Sequence, residues 1–137
     1  MESVVQSLLA GFPILITHFL TTLLVFIAAS LIYILITPHQ EFKLIKDGNK
    51  SAALSIGGAL LGLSIPLAVC LAGSVNTYDI VIWGSVTLGI QLTVYFIIDL
   101  LVRGISVSIQ NDNLAPTIFL VSAKLSIALL NAAAIAG

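Results

Sequence analysis

Three polar residues recur at intervals of seven in the last apolar stretch of the chain: Thr117, Lys124 and Asn131. Residues seven apart lie on one face of an α-helix, so these side chains would form a polar stripe along it. Such a stripe can line a pathway for an ion or small solute, or it can join neighbouring helices through hydrogen bonds. Gln91, in the preceding apolar stretch, offers the same two possibilities.

Lys124 is the most unusual of these residues, because an ammonium at mid-bilayer costs ~3 kcal/mol on insertion scales. We expect it to face the bundle interior, a subunit interface or water. Gln91 is predicted at the same depth, but its amide cannot neutralise the charge. Asp99 could neutralise it, yet is predicted about 12 Å away along the axis and pairs more easily with Arg103, four residues on. A neutral amine is a third possibility, since burial disfavours the charged form.

The sequence contains no recognisable catalytic constellation. Paired carboxylates within the apolar stretches, a nucleophile with a histidine and an acid, a cluster of metal ligands and a phosphate-binding glycine loop are all missing. His18 stands alone, which is a weak metal signal, and the single Cys70 cannot form an internal disulfide. We therefore expect a non-enzymatic protein that needs neither a cofactor nor a metal.

Four apolar stretches carry these residues and fill most of the 137-residue chain. They cover roughly residues 12–36, 51–71, 80–101 and 114–134, and each can cross a hydrocarbon core of about 30 Å. The composition is 59% hydrophobic and 8% charged, whereas a soluble domain is about a quarter charged. We predict an all-α membrane protein with four transmembrane helices in a single domain, 1–137. The lipid bilayer is then its main partner, and the net charge of −1 argues against nucleic acid.

The basic residues predict the orientation in the membrane. Lys43, Lys46 and Lys50 lie between the first and second spans, and Arg103 lies between the third and fourth. The chain before the first span and the connection 72–79 contain no Lys or Arg. By the positive-inside rule the loops 37–50 and 102–113 face the cytoplasm, with both chain ends outside (N-out/C-out).

Polar residues in these loops predict a surface helix and two helix caps. Residues from Glu41 through Lys43 to Lys46 would form a short helix on the inner leaflet. Asn49 and Asn113 would cap the spans that follow them. The same loops could instead form a docking surface for anionic lipid or for the acidic face of a partner.

Small residues on the second span predict close helix packing. Ser55, Gly58, Ala59 and Gly62 leave one side of this helix nearly bare, and small residues four apart let helices approach closely in lipid. The contact could be made within one chain or between copies in a homo-oligomer. Pro66 is expected to kink the same helix, because it removes a backbone hydrogen bond.

A weak internal repeat relates the two halves of the chain. A shift of 64 residues pairs Ile45 with Ile109, Asn49 with Asn113, Ala59 with Ala123, Leu61 with Leu125 and Ala68 with Ala132. We interpret residues 12–71 and 80–134 as tandem copies of a two-helix unit, related by an axis along the membrane normal.

Several motifs resemble the YjfL-like family of small bacterial inner-membrane proteins, whose domain has no known function. They are the run TPHQEFKLIKDGNKSAALSIGGALLGLSIPLA at 37–68, then Trp83-Gly84, Gln91-Leu92 and Asn131-Ala132-Ala133. The resemblance implies four spans, a duplicated unit and a multi-pass protein of the bacterial inner membrane, and it implies no reaction. The sequence departs from the family pattern at Pro116 and Lys124, so a role for Lys124 would belong to this protein or its subgroup.

Two functions fit these features. The first is an oligomeric assembly component that presents its loops to a cytoplasmic or membrane protein partner. The second is a channel or small-solute transporter with a pathway lined by Gln91, Lys124 and Asn131. Four spans are too few to enclose a wide pore, so both functions predict a homo-oligomer.

Overall fold

The computed structural model describes residues 1–36, 41–101 and 104–137, apart from the side chains of Leu88, Tyr95 and Asp99. This part of the chain is helical and contains no strand. The helices are α1 (Glu2–Ile36), α2 (Glu41–Lys46), α3 (Lys50–Gly73), α4 (Thr77–Leu101), α5 (Ile105–Gln110) and α6 (Leu114–Ala136). The long helices α1, α3, α4 and α6 are apolar enough to cross a membrane, which confirms the prediction of an all-α protein with four spans.

The largest difference between the predicted apolar stretches and the helices is at the start of α1. The first apolar stretch begins at Phe12, whereas α1 begins ten residues earlier, at Glu2. It is the longest helix, with 35 residues against 23 to 25 in the other spans. At 1.5 Å per residue, α1 is about 52 Å long, well beyond the hydrocarbon thickness of about 30 Å.

Helix α3 lies at the centre and packs against the other three spans, most extensively against α6. Its small residues make this possible. A Cβ atom added to Gly58 would lie only 2.7 Å from Cγ2 of Val121 on α6. Ser55, Ala59 and Gly62 are also buried. The small-residue face of α3 is therefore packed inside the chain.

The bundle has two distinct ends. We call the end that carries α2 and α5 the loop end, and the end that carries the start of α1, the α3–α4 connection and the end of α6 the terminal end. Glu41 and Ile105, the first residues of α2 and α5, are 64 positions apart in the chain. The same separation holds between Lys50 and Leu114, which begin α3 and α6.

Hydrogen bonds join the two halves of the chain at the loop end. The Asn49 side chain caps α3 by accepting from the Ala52 N–H at 2.8 Å, and its Nδ2 donates to the Ile109 carbonyl at 2.7 Å. Asn113 holds the corresponding position before α6, but its side chain makes no capping bond, which corrects the expected cap. Its carbonyl accepts from the Ser51 hydroxyl at 3.1 Å.

Pro66 lies buried within α3, which continues as a helix to Gly73. A proline at this position leaves the Gly62 carbonyl without its usual helical donor. At Gly62, α3 therefore has no side chain and also lacks one backbone hydrogen bond. This glycine faces the polar residues described below.

Candidate functional site

Lys124 lies almost completely inside the bundle, with 1% of its surface exposed. Its Nζ donates a hydrogen bond to the Tyr33 hydroxyl at 2.5 Å and lies 4.2 Å from the centroid of the Tyr33 ring. A hydroxyl and an aromatic face are both favourable neighbours for an ammonium group. Helices α1 and α6, which are far apart in sequence, thus meet at this pair.

Glu41 supplies the negative charge near Lys124. It is the first residue of α2, is 1% exposed, and interacts electrostatically with the lysine. Its Oε1 also accepts a hydrogen bond from the Ser55 hydroxyl at 3.5 Å. An acidic side chain is favoured in the first turn of a helix. We call Lys124, Tyr33 and Glu41 the charged cluster.

The position of Glu41 corrects the sequence interpretation, which placed it in an exposed loop. Helix α2 folds back against α3, so its first residue points into the bundle. Lys43 and Lys46 of the same helix are exposed. Glu41 is buried because an isolated ammonium in an apolar interior is costly, and a nearby carboxylate reduces this cost.

Gln91 lies beside Lys124, at the level of Gly62. A Cβ atom added to Gly62 would lie 3.1 Å from Gln91 Oε1 and 3.8 Å from Lys124 Cβ. The Gln91 side chain is 3% exposed, and neither its Oε1 nor its Nε2 has a hydrogen-bond partner among the described residues. Leaving a buried polar group unpaired costs about 1–3 kcal/mol of stability. A solute or ion that hydrogen-bonds to Gln91 would remove this cost, which favours its binding at this point.

The polar stripe of α6 faces the interior along its length. Thr117 is fully buried at the loop end, and its hydroxyl shares a hydrogen bond with that of Ser51. Lys124 follows in the charged cluster. Asn131 is half-buried, and its Nδ2 is another buried atom without a partner in the described part of the chain.

A cavity of about 470 Å³ opens at the terminal end between α3, α4 and α6. Cys70, Ser74, Asp79, Trp83 and Ile135 are among the residues that line it. From the cavity, α4 and α6 continue inward to the level of Gln91 and Lys124.

The inward continuation follows helical spacing. Asn131 lies four residues before Ile135 on α6, and Thr87 and Gln91 lie four and eight residues after Trp83 on α4. Residues four apart share a helix face. We call Asn131, Thr87, Gln91 and Lys124 the polar seam. By their positions along the helices, these residues lie between the cavity and the charged cluster. The Thr87 hydroxyl donates to the Trp83 carbonyl at 2.8 Å.

Sequence reasoning missed two members of the charged cluster. Tyr33 was not considered as a partner of Lys124, and Glu41 was expected in a short helix on the inner leaflet. The available signal was the need of Lys124 for an acidic partner, which sequence reasoning sought only within the spans. The alternative partner Asp99 and its neighbour Arg103 fall outside the described side chains.

Comparisons with known proteins place the chain in a family. The family model described as Domain of Unknown Function (DUF350) matches residues 7–135. The chain is 40% identical over 102 residues to the UPF0719 inner membrane protein YjfL of Escherichia coli strain K12, and equally to that of Escherichia coli O157:H7. The match covers 74% of this chain and 77% of each relative. No solved structure matches.

These matches confirm the resemblance seen in the sequence. The relatives are named as inner-membrane proteins, and four helices of this chain are long and apolar enough to span a bilayer. The chain is thus a multi-pass inner-membrane protein. By its match from residue 7 to residue 135 it belongs to the DUF350 family, whose function is unknown.

Proposed function

We propose that this protein is a channel or transporter for small ions or solutes, with a pathway along the polar seam. The observation that supports this most is that the buried Lys124 and the buried Gln91, whose amide has no hydrogen-bond partner among the described residues, both face Gly62. Ionisable residues inside membrane bundles commonly mark ion or substrate pathways. The proposal involves binding and movement only, without an enzymatic reaction or a cofactor.

The arrangement favours transport over the assembly function. The assembly hypothesis depended on the small-residue face of α3, which is covered by α6 and α4 of the same chain. What remains for a partner at the loop end is the group of exposed lysines Lys43, Lys46 and Lys50. Three exposed lysines can attract anionic lipid or an acidic protein, but they give no account of the buried charges.

The charged cluster would close the pathway at the loop end. Tyr33 accepts a hydrogen bond from the Lys124 ammonium and Glu41 supplies the nearby opposite charge, so an anion arriving from the cavity side would compete with the Glu41 carboxylate for it. Displacing Glu41 would release α2, which carries it. Occupancy of the seam would thereby be coupled to movement at the loop end, with a preference for anions over cations.

The same proposal includes a homo-oligomer and a duplicated unit. Four helices enclose only a narrow path, so any larger solute would need several copies around it. The equal separations of α2 from α5 and of α3 from α6 support a tandem two-helix repeat. The lysines of the loop end support an N-out/C-out orientation.

Ion flux in liposomes tests the transport function. Purified wild-type protein should pass small anions such as chloride, and Lys124→Met should lose most of this flux because the only buried ammonium of the described bundle is gone. Glu41→Gln should raise the flux, since it removes the competing carboxylate. Lys46→Met is the matched control, because Lys46 is exposed and its loss should leave the flux unchanged.

Two results would contradict the proposal. The first is wild-type protein that passes no chloride, other small anion, cation or small neutral solute. The second is a flux that is equal in the wild type and in Lys124→Met while the fold and the amount of inserted protein are the same.

A further inference from the structure

Helix α1 extends far beyond the rest of the bundle at the terminal end. A Cβ atom added to Gly84 of α4 would lie 2.5 Å from Cγ1 of Val25, so these residues of α1 and α4 are at one level. Helix α4 begins seven residues before Gly84, at Thr77, and α1 begins 23 residues before Val25, at Glu2. At 1.5 Å per residue, α1 therefore extends about 24 Å further.

The exposure of the side chains agrees with this register. Every residue from Met1 to Thr17 is exposed, and His18 is the first that is partly covered. We call residues 2–12 the α1 arm. All of its side chains are exposed, so its apolar residues are left largely uncovered by the described part of the chain.

The α1 arm is amphipathic. Val5, Leu8, Leu9 and Phe12 follow the spacing of one helix face and are 49%, 63%, 69% and 53% exposed. The other side of the arm carries Ser3, Gln6 and Ser7, and Glu2 lies at its border with the apolar face. A helix divided in this way suits a boundary between water and an apolar phase.

We propose that the α1 arm lies on the lipid leaflet at the terminal end of the bundle, with Val5, Leu8, Leu9 and Phe12 in contact with the acyl chains. The arm continues directly from a membrane span, so it emerges at this leaflet. In the structure α1 is one continuous helix, and on the leaflet it would bend at Pro13, because this residue cannot donate to the Leu9 carbonyl and prolines are the usual site of sharp helix kinks. The polar face then points towards water.

Lipid fits this surface better than a second copy of the chain does. Eleven helical residues are about 16 Å long, and one face of so short a helix offers on the order of a few hundred Å². A stable interface buries about 800 Å² on each partner. The arm also carries no Lys or Arg, so its contact with the leaflet depends on apolar burial rather than on lipid charge.

Site-specific fluorescence in vesicles tests the proposal. In a Cys70→Ala background, an environment-sensitive dye is attached to Leu9→Cys or to the matched control Gln6→Cys. The protein is reconstituted in phosphatidylcholine vesicles, and its arm is examined with aqueous iodide and with lipids that carry a nitroxide near the headgroup. The Leu9 dye should be quenched by the nitroxide lipid and protected from iodide, and the Gln6 dye should show the reverse.

Equal quenching of both dyes by iodide would overturn the proposal, because the arm would then stand free in water. Protection of Leu9 from both quenchers, lost when the protein is diluted into more lipid, would also overturn it, since a second copy would be the occupant. The arm lies outside the packed bundle, so these substitutions leave the fold intact. Neither result depends on whether the protein conducts ions.

Discussion

At the scale of single residues, the interior shows how a lysine can be kept inside a membrane bundle. Tyr33 of α1 places its hydroxyl and its ring against the Lys124 ammonium, and Glu41 of α2 supplies an opposite charge nearby. Both residues are more than 80 positions away from Lys124 in the chain. Helical periodicity identified the buried face of α6. It could not identify Glu41, because the direction of a side chain in a loop helix depends on how that helix folds back.

The charged cluster predicts strong coupling between Glu41 and Lys124. Removing one member of a buried pair leaves the other uncompensated, and Glu41→Leu should lower the free energy of unfolding by about 3–5 kcal/mol. Lys124→Met should also destabilise the protein, by roughly the same amount, since it leaves the buried Glu41 carboxylate without its opposite charge. The double variant should recover most of the loss. Thermal unfolding in detergent of the wild type, both single variants and the double variant measures this coupling.

Lys46→Met is the control for this set of variants, because it removes an exposed lysine and should change the free energy of unfolding by less than about 0.5 kcal/mol. If the effects of the two cluster substitutions simply add, Glu41 and Lys124 do not interact and the charged cluster does not exist in the folded protein.

At the scale of helices, the apolar stretches located the four spans, but they gave the wrong start for α1. Residues 2–9 alternate pairs of polar and apolar side chains and Ala10-Gly11 follow, so the strongly hydrophobic run was placed from Phe12 although the helix begins at Glu2. The six-residue α2 was visible in advance because Asp47, Gly48 and Asn49 punctuate its end, and Gly48 adopts the left-handed conformation with φ at 86°.

Two adjacent glycines of α3 test its packing. A Cβ atom at Gly58 would lie 2.7 Å from Val121, whereas one at Gly57 would meet nothing within 4 Å. Gly58→Ala should therefore destabilise the bundle by about 1–3 kcal/mol through overpacking. Gly57→Ala should be neutral or stabilise it by up to about 1 kcal/mol, because alanine favours the helix. Thermal unfolding in detergent compares them.

A compensating variant sharpens this comparison. Val121→Ala should recover part of the stability lost in Gly58→Ala, since it removes both of the methyl groups that the new Cβ would meet. The packing within the chain would be contradicted if Gly58→Ala changed the mass of the particle in lipid or detergent while its thermal stability stayed the same. That outcome would place the small-residue face between copies.

At the scale of the whole molecule, the two ends of the bundle are chemically different. The loop end holds three exposed lysines and the buried charged cluster, whereas the terminal end holds the open cavity and the α1 arm. Which end faces the cytoplasm decides the side from which a solute enters the polar seam. The positive-inside rule predicts that the cavity faces outwards and that the charged cluster lies near the cytoplasm.

Single-cysteine labelling in intact cells tests this orientation, in a Cys70→Ala background that removes the one native thiol. Asn76→Cys in the α3–α4 connection should react with a membrane-impermeant maleimide from outside, because Asn76 is exposed at the terminal end. Lys46→Cys and Asn111→Cys, both exposed at the loop end, should react only after the membrane is permeabilised. The opposite labelling pattern would mean that the protein is inserted in the reverse orientation, with the cavity on the cytoplasmic side. An anion would then enter the seam from the cytoplasm, and Glu41 would face the outer solution.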